Sequence, residues 1–121
     1  MRVVTDEINV RPAIKIYHDK SYINNDDFLE VLLGIEEEGI PYEVYEYEEE
    51  DEVLLGYRAS IDSIIGVGIG ISKEKIVLHY NKLDKDYPLY KISIKSGTNN
   101  LRALGSNAAR LVIKMPFKEI K

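Results

Sequence analysis

Three consecutive glutamates, Glu36, Glu37 and Glu38, close a stretch that reads EVLLGIEEEGIP over residues 30–41. Carboxylates are hard oxygen donors, the side chains that take Mg2+ or Ca2+ when further oxygen ligands converge on them. Their setting is unfavourable. Gly39 and Pro41 mark the end of a helix, and a helix C-terminus carries partial negative charge. Each carboxylate in an exposed last turn therefore costs about 0.3 to 1 kcal/mol. Chelation of a hard cation together with ligands from elsewhere would justify that cost.

Other chemistries are poorly served. His18 and His79 are the two histidines, and neither has a serine nucleophile or a second histidine at ligand spacing. His79, inside the apolar run IVLHY, reads as a satisfied structural histidine. GVGIG at 66–70 lacks the G-x-G-x-x-G spacing of a dinucleotide loop and sits within an apolar strand, so these read as packing glycines. The glutamates are clustered with no cation or histidine near them in sequence, which leaves acid–base catalysis without a partner. No catalytic constellation is visible, and a non-enzymatic chain is expected. With no cysteine there are no disulfides, thiolate zinc sites or thiol nucleophiles.

The 121 residues suffice for one domain, 1–121, burying about two thirds of its unfolded surface. No apolar run approaches the ~20 residues of a membrane span. The opening MRVVTDEINVRP lacks the apolar segment of a secretory signal, so a cytoplasmic location is expected. The net charge of −5 is unevenly placed: 13 of 21 acidic residues lie between Lys20 and Arg58, an interval without lysine or arginine. From Arg58 onward 12 basic residues face 5 acidic ones. The acidic middle repels phosphate backbones, and no basic–aromatic ladder accompanies the basic half, which argues against nucleic acid as partner.

The elements that must position the glutamates follow from periodicity. Residues 1–11 are a polar lead-in without a period and read as an edge strand or an arm. AIKIY at 13–17 alternates as a first strand ending at His18-Asp19. Asn24, Asn25 and Asp26 offer caps for a helix over 26–38, and Tyr42–Tyr47 forms a second strand. The acidic run 46–52 leads into a helix marked by Leu54, Tyr57, Ile61 and Ile64. IIGVGIGI at 64–71 suits a strand covered on both faces, paired with IVLHY as a hairpin. Pro88 opens a last strand in which Tyr90, Ile92 and Ile94 alternate with polar residues. Ser96-Gly97-Thr98 caps a final helix striped by Leu101, Leu104, Ala108 and Leu111. The order βαβαβββα predicts an α/β fold, a compact mixed sheet of about five strands flanked by three helices.

On the first helix Phe28, Val31, Leu32 and Ile35 share one side, while Asp27, Glu30, Gly34 and Glu37 share the other. Glycine inside a helix costs about 1 kcal/mol against alanine, and here it could let a partner's backbone approach closely. A solvated acidic face is the plainer alternative.

Three strings in this order, EVLLGIEEEGIPY (30–42), VGIGISKEKIVLHYNKL (67–83) and SNAARLVIKMPF (106–117), resemble the small subunit of diol and glycerol dehydratase-reactivating factors. The resemblance covers most of residues 13–118, with Ile113-Lys114-Met115 departing from that family's pattern and the region around 46–59 matching weakly. It implies a fold similar to the dehydratase medium subunit. It also implies a chaperone-like, ATP-dependent complex of two large and two small subunits that releases damaged cobalamin from inactivated adenosylcobalamin-dependent dehydratase. The small subunit exchanges with the dehydratase's medium subunit on its large subunit, while ADP or ATP belongs to the large reactivase subunit.

By the same resemblance Glu37 is a metal ligand, offered in trans to Mg2+ or Ca2+ shared with the large subunit. Asp27, Glu30, Gly34, Glu36 and Glu38 then belong to the interface, and Asn107 and Arg110 fit interface or loop-capping roles equally. No cofactor of its own is implied. The competing readings are a cofactor-binding or structural subunit of the dehydratase itself, and a stand-alone hydrolase using the acidic cluster and His79. Glycerol or propanediol specificity and association with a bacterial microcompartment stay open.

Overall fold

Strand and helix periodicities alternate down the chain, and the computed structural model, which describes residues 11–21 and 26–121, follows them. Strand β1 (Ile14–Asp19) leads to a 3-10 turn (Asp26–Phe28) and helix α1 (Leu29–Glu37). Then come β2 (Tyr42–Tyr47), α2 (Glu52–Asp62), the hairpin β3 (Val67–Ser72) and β4 (Lys75–Tyr80), β5 (Tyr90–Ser93) and α3 (Thr98–Ile113). The expected arm, apart from Arg11, and the Asn24 and Asn25 caps lie outside the described residues.

The five strands form one sheet in the order β2-β1-β3-β4-β5. The first three are parallel and the last two antiparallel to their neighbours. Right-handed crossovers that leave β1 in one direction and return past it in the other place their helices on opposite faces. Thus α1 and α3 cover one face, with Ile14, Ile16, Ile69, Ile71, Ile76 and Leu78 packed against Phe28, Val31, Ile35 and Leu104. On the other face α2 brings Leu55 and Ala59 to Tyr17 and Tyr45. All six residues of β3 are buried, as expected of a strand covered on both sides.

GVGIG is a packing device. A Cβ at Gly70 would lie 2.2 Å from the Glu52 carbonyl oxygen and 2.3 Å from the Gly56 nitrogen, so α2 rests directly on the strand backbone. That contact corrects the expected face of α2. Its buried residues are Glu52, Leu55, Gly56, Ala59 and Ser60. Ile61 is exposed, and Ile64, also exposed, falls beyond the helix end. Small side chains that fit the glycine strand select the contact face over the more hydrophobic stripe.

Three further boundaries differ. The first helix opens with a 3-10 turn, and α1 has Phe28 at its N-cap position without a side-chain cap bond. Gly97 itself occupies the N-cap of α3, at φ 113, so neither Ser96 nor Thr98 is the cap. Strand β5 stops at Ser93 because its hydroxyl and carbonyl accept from the Lys95 and Ser96 amides at 3.0 and 3.1 Å, which turns the chain. Asp51 caps α2 by accepting from the Val53 and Leu54 amides at 3.0 and 3.2 Å, as the acidic run suggested.

Candidate functional site

The side of α1 carrying the glutamates faces α3 along much of its length. Three contacts share one sequence offset of 72 residues: Glu30 with Arg102, Gly34 with Ser106, and Glu38 with Arg110. A constant offset at steps of four residues means that the helices run side by side in the same direction. At the centre of the seam a Cβ on Gly34 would lie 2.2 Å from the Arg102 carbonyl oxygen. The backbone that Gly34 admits is thus the chain's own α3, which corrects the expectation that this glycine awaits another chain.

The carboxylates acquire cations that sequence proximity hid. Arg102 donates Nε and Nη2 to Glu30 Oε1 at 2.9 and 2.5 Å, and Nη1 to Glu37 Oε2 at 2.6 Å. These bonds, first that to Glu30, hold the Arg102 guanidinium above its usual value. Arg110 donates Nε to Glu38 Oε2 at 3.0 Å. Glu36 accepts from the Tyr42 hydroxyl at 2.8 Å. Glu38 is the C-cap residue of α1, leaving Glu36 and Glu37 in the last turn. The adverse helix-end charge is therefore offset within the molecule.

Asn107 is fully buried and clamps the C-terminal tail. Its Nδ2 donates to the Lys118 carbonyl at 2.9 Å, and its Oδ1 accepts from the Lys118 amide at 2.6 Å. Arg110 Nη1 adds a bond to the Pro116 carbonyl at 3.0 Å. Both residues perform loop capping, and Asn107 has no exposed surface to offer a partner. Asp27 lies exposed in the 3-10 turn.

Glu37 is the most open of the paired carboxylates on this seam, its side chain 45% exposed against 13% for Glu38. Its Oε1 meets Lys118 Nζ at 3.8 Å. A carboxylate oxygen without a short bond, on a half-exposed side chain, suits one position around a hard divalent cation. It is one ligand only: among the described residues no three His, Asp or Glu side chains gather to hold a metal. Sequence reasoning missed Arg102 and Lys118. The available signal was spacing, since Arg102 and Arg110 repeat the eight-residue interval of Glu30 and Glu38.

The histidines are structural. His79 is fully buried, its Nδ1 accepting from the Tyr80 amide at 3.0 Å while Nε2 lies 3.0 Å from the Lys85 carbonyl. His18 packs on Phe28 with Nδ1 2.8 Å from the Asp19 carbonyl. At the C-terminal ends of the parallel strands a cavity of about 610 Å3 is lined by Asp19, Lys20, Ser21 and Glu48–Glu50. Burial alone would raise the Asp19 carboxyl, but bonds from the Ser21 and Ser72 hydroxyls and the Ser21 amide bring it below its ordinary value.

Residues 11–118 match the family model described as dehydratase medium subunit. The propanediol dehydratase-reactivating factor small subunit of Citrobacter freundii is 41% identical over 108 residues, 89% of this chain and 91% of its own. A diol dehydratase-reactivating factor structure, complexed with ADP and Mg2+, superposes with TM-score 0.85 at 35% identity, covering 90% of this chain and 99% of that one. A glycerol dehydratase reactivase gives 0.86 at 31% identity, covering 92% and 100%. The α/β sheet and its helices thus define a dehydratase medium-subunit fold. Within it, the chain belongs to the family of small subunits of diol and glycerol dehydratase-reactivating factors.

Proposed function

We propose that this chain is the non-catalytic small subunit of an ATP-dependent complex that releases damaged cobalamin from inactivated diol or glycerol dehydratase. It pairs with a large ATPase subunit, two of each, and exchanges with the dehydratase's own medium subunit in the cytoplasm. One observation carries the reading: most of this chain matches a dehydratase medium-subunit model and, at 41% identity over 108 residues, a reactivating-factor small subunit. Likeness to the subunit being displaced is what exchange requires. The family model's description also favours a second reading, a structural subunit of the dehydratase itself, whereas the reactivating-factor relatives favour the first.

In this reading Glu37 supplies one oxygen, in trans, to an Mg2+ or Ca2+ ion held by the large subunit near its nucleotide. The ion neutralises charge between the subunits, and Oε1, the oxygen that Arg102 leaves unbonded, is the atom that suits it. Glu30, Glu36, Glu38 and Arg110 surround that contact as its polar rim, exposed Asp27 extends the surface at the other end of the helix, and buried Gly34 and Asn107 support it from beneath. The test is co-purification with the cognate large subunit, wild type against Glu37→Gln, in Mg2+ and in EDTA. A complex weakened by either treatment is expected, together with ATP-dependent reactivation of inactivated dehydratase by the wild-type pair. Stable incorporation into dehydratase with no binding to the large subunit would establish the second reading instead.

A further inference from the structure

The two oxygens of Glu37 meet cations of different character. Oε2 accepts from Arg102 Nη1 at 2.6 Å, and that guanidinium is itself anchored by two bonds to Glu30. A planar fork held at three points has little freedom to leave. Oε1 meets Lys118 Nζ at 3.8 Å, beyond hydrogen-bond reach. Lysine is a compact, strongly hydrated charge on a flexible stem, and such surface pairs contribute little.

The presence of Lys118 there follows from the tail's construction. Residues beyond α3 adopt no regular structure, yet they are clipped along the helix at successive points. Pro116 accepts from Arg110, both backbone groups of Lys118 bond to the buried Asn107, and the Lys121 amide donates to Asn100 Oδ1 at 3.1 Å. The strap delivers one ammonium to the oxygen that Arg102 leaves unbonded.

Resting on the reading of Glu37 as a ligand in trans, we infer that two cations divide the work at this carboxylate. Arg102 is a positioning residue that presents Oε1 outward. Lys118 is an exchangeable counter-ion that the large subunit's divalent cation displaces on docking, and that covers Glu37 again when the metal leaves. The strap thereby lowers metal-linked affinity and favours release.

The test measures association of the chain with its cognate large subunit in Mg2+ and in EDTA. Lys118→Met keeps the backbone clamp and removes the competing charge. Its Mg2+-dependent association constant is expected to rise about three- to tenfold, with no change in EDTA and no gain in a Glu37→Gln background. Arg102→Lys, which retains charge but loses the fork, is expected to weaken association in Mg2+ alone. If Glu37→Gln weakens binding in Mg2+ while Lys118→Met leaves it unchanged or weaker, the counter-ion role is overturned and the ligand reading stands. If Glu37→Gln has no effect in Mg2+, or if no association occurs under any condition, both fall.

Discussion

Gly34→Ala puts the α1–α3 seam to a test in which two ordinary effects have opposite signs. Helix propensity favours alanine by about 1 kcal/mol. Packing opposes it, because the new Cβ would lie 2.2 Å from the Arg102 carbonyl oxygen and 2.8 Å from the Ser106 nitrogen. A comfortable carbon–oxygen approach is about 3.3 Å, so the helices must part by roughly 1 Å. Both obstructing atoms belong to the backbone of a helix and cannot rotate away. Overpacking of this kind costs about 1 to 3 kcal/mol, occasionally more, and backbone-on-backbone contact belongs at the upper end. The separation also stretches the Ser106 hydroxyl bond to the Gly34 carbonyl, 3.3 Å long. The expected net loss is about 2 kcal/mol, or roughly 6 to 10 °C in Tm for a chain of this length. Urea and thermal unfolding followed by circular dichroism measure it. A variant as stable as wild type, or more so, refutes the close seam, since propensity would then be acting unopposed.

Two further outcomes concern the tail and the strand ends. Asn107→Ala removes both bonds to the Lys118 backbone from a fully buried position. It should cost about 1 to 3 kcal/mol and speed amide exchange at Lys118 and Lys121; a protected tail in the variant would contradict the clamp. Asp19 has a lowered folded pKa, so its contribution is complete above the unfolded value near 3.9 and is lost as pH falls through the folded one. Asp19→Asn should therefore flatten the acid limb of a stability–pH curve between about pH 5 and the wild-type acid transition, and a limb of unchanged steepness would show that the carboxylate is not held by Ser21 and Ser72.

Much of the architecture was legible because periodicity reports which side of an element is covered. β2 has the bounds that alternation gives it, and the unbroken apolar run of β3 announced a strand buried on both faces. What periodicity does not encode is fit. The stripe of Leu54, Tyr57 and Ile61 is the more hydrophobic side of α2, yet Gly56, Ala59 and Ser60 make the contact because Gly68 and Gly70 leave room only for small neighbours. At the candidate site, the odd charge at the end of α1 was visible, while its offset was not. Arg102 and Arg110 lie 72 residues from Glu30 and Glu38, and no local rule links them. Matching eight-residue intervals in two amphipathic segments of opposite charge were the trace the pairing left in the sequence.

The same offset has a consequence during synthesis. Residues 1–57 carry a net charge of −12 and residues 58–121 carry +7. At about 5 to 20 residues per second, α1 leaves the ribosome roughly 4 to 14 s before the basic helix that neutralises it. Through that interval the α1 carboxylates lack Arg102 and Arg110, and the close-packed side at Gly34 has no helix to cover it. Fragments ending before α3 are therefore expected to be cleaved by protease more readily than the full chain, in which helices cover both faces of the sheet.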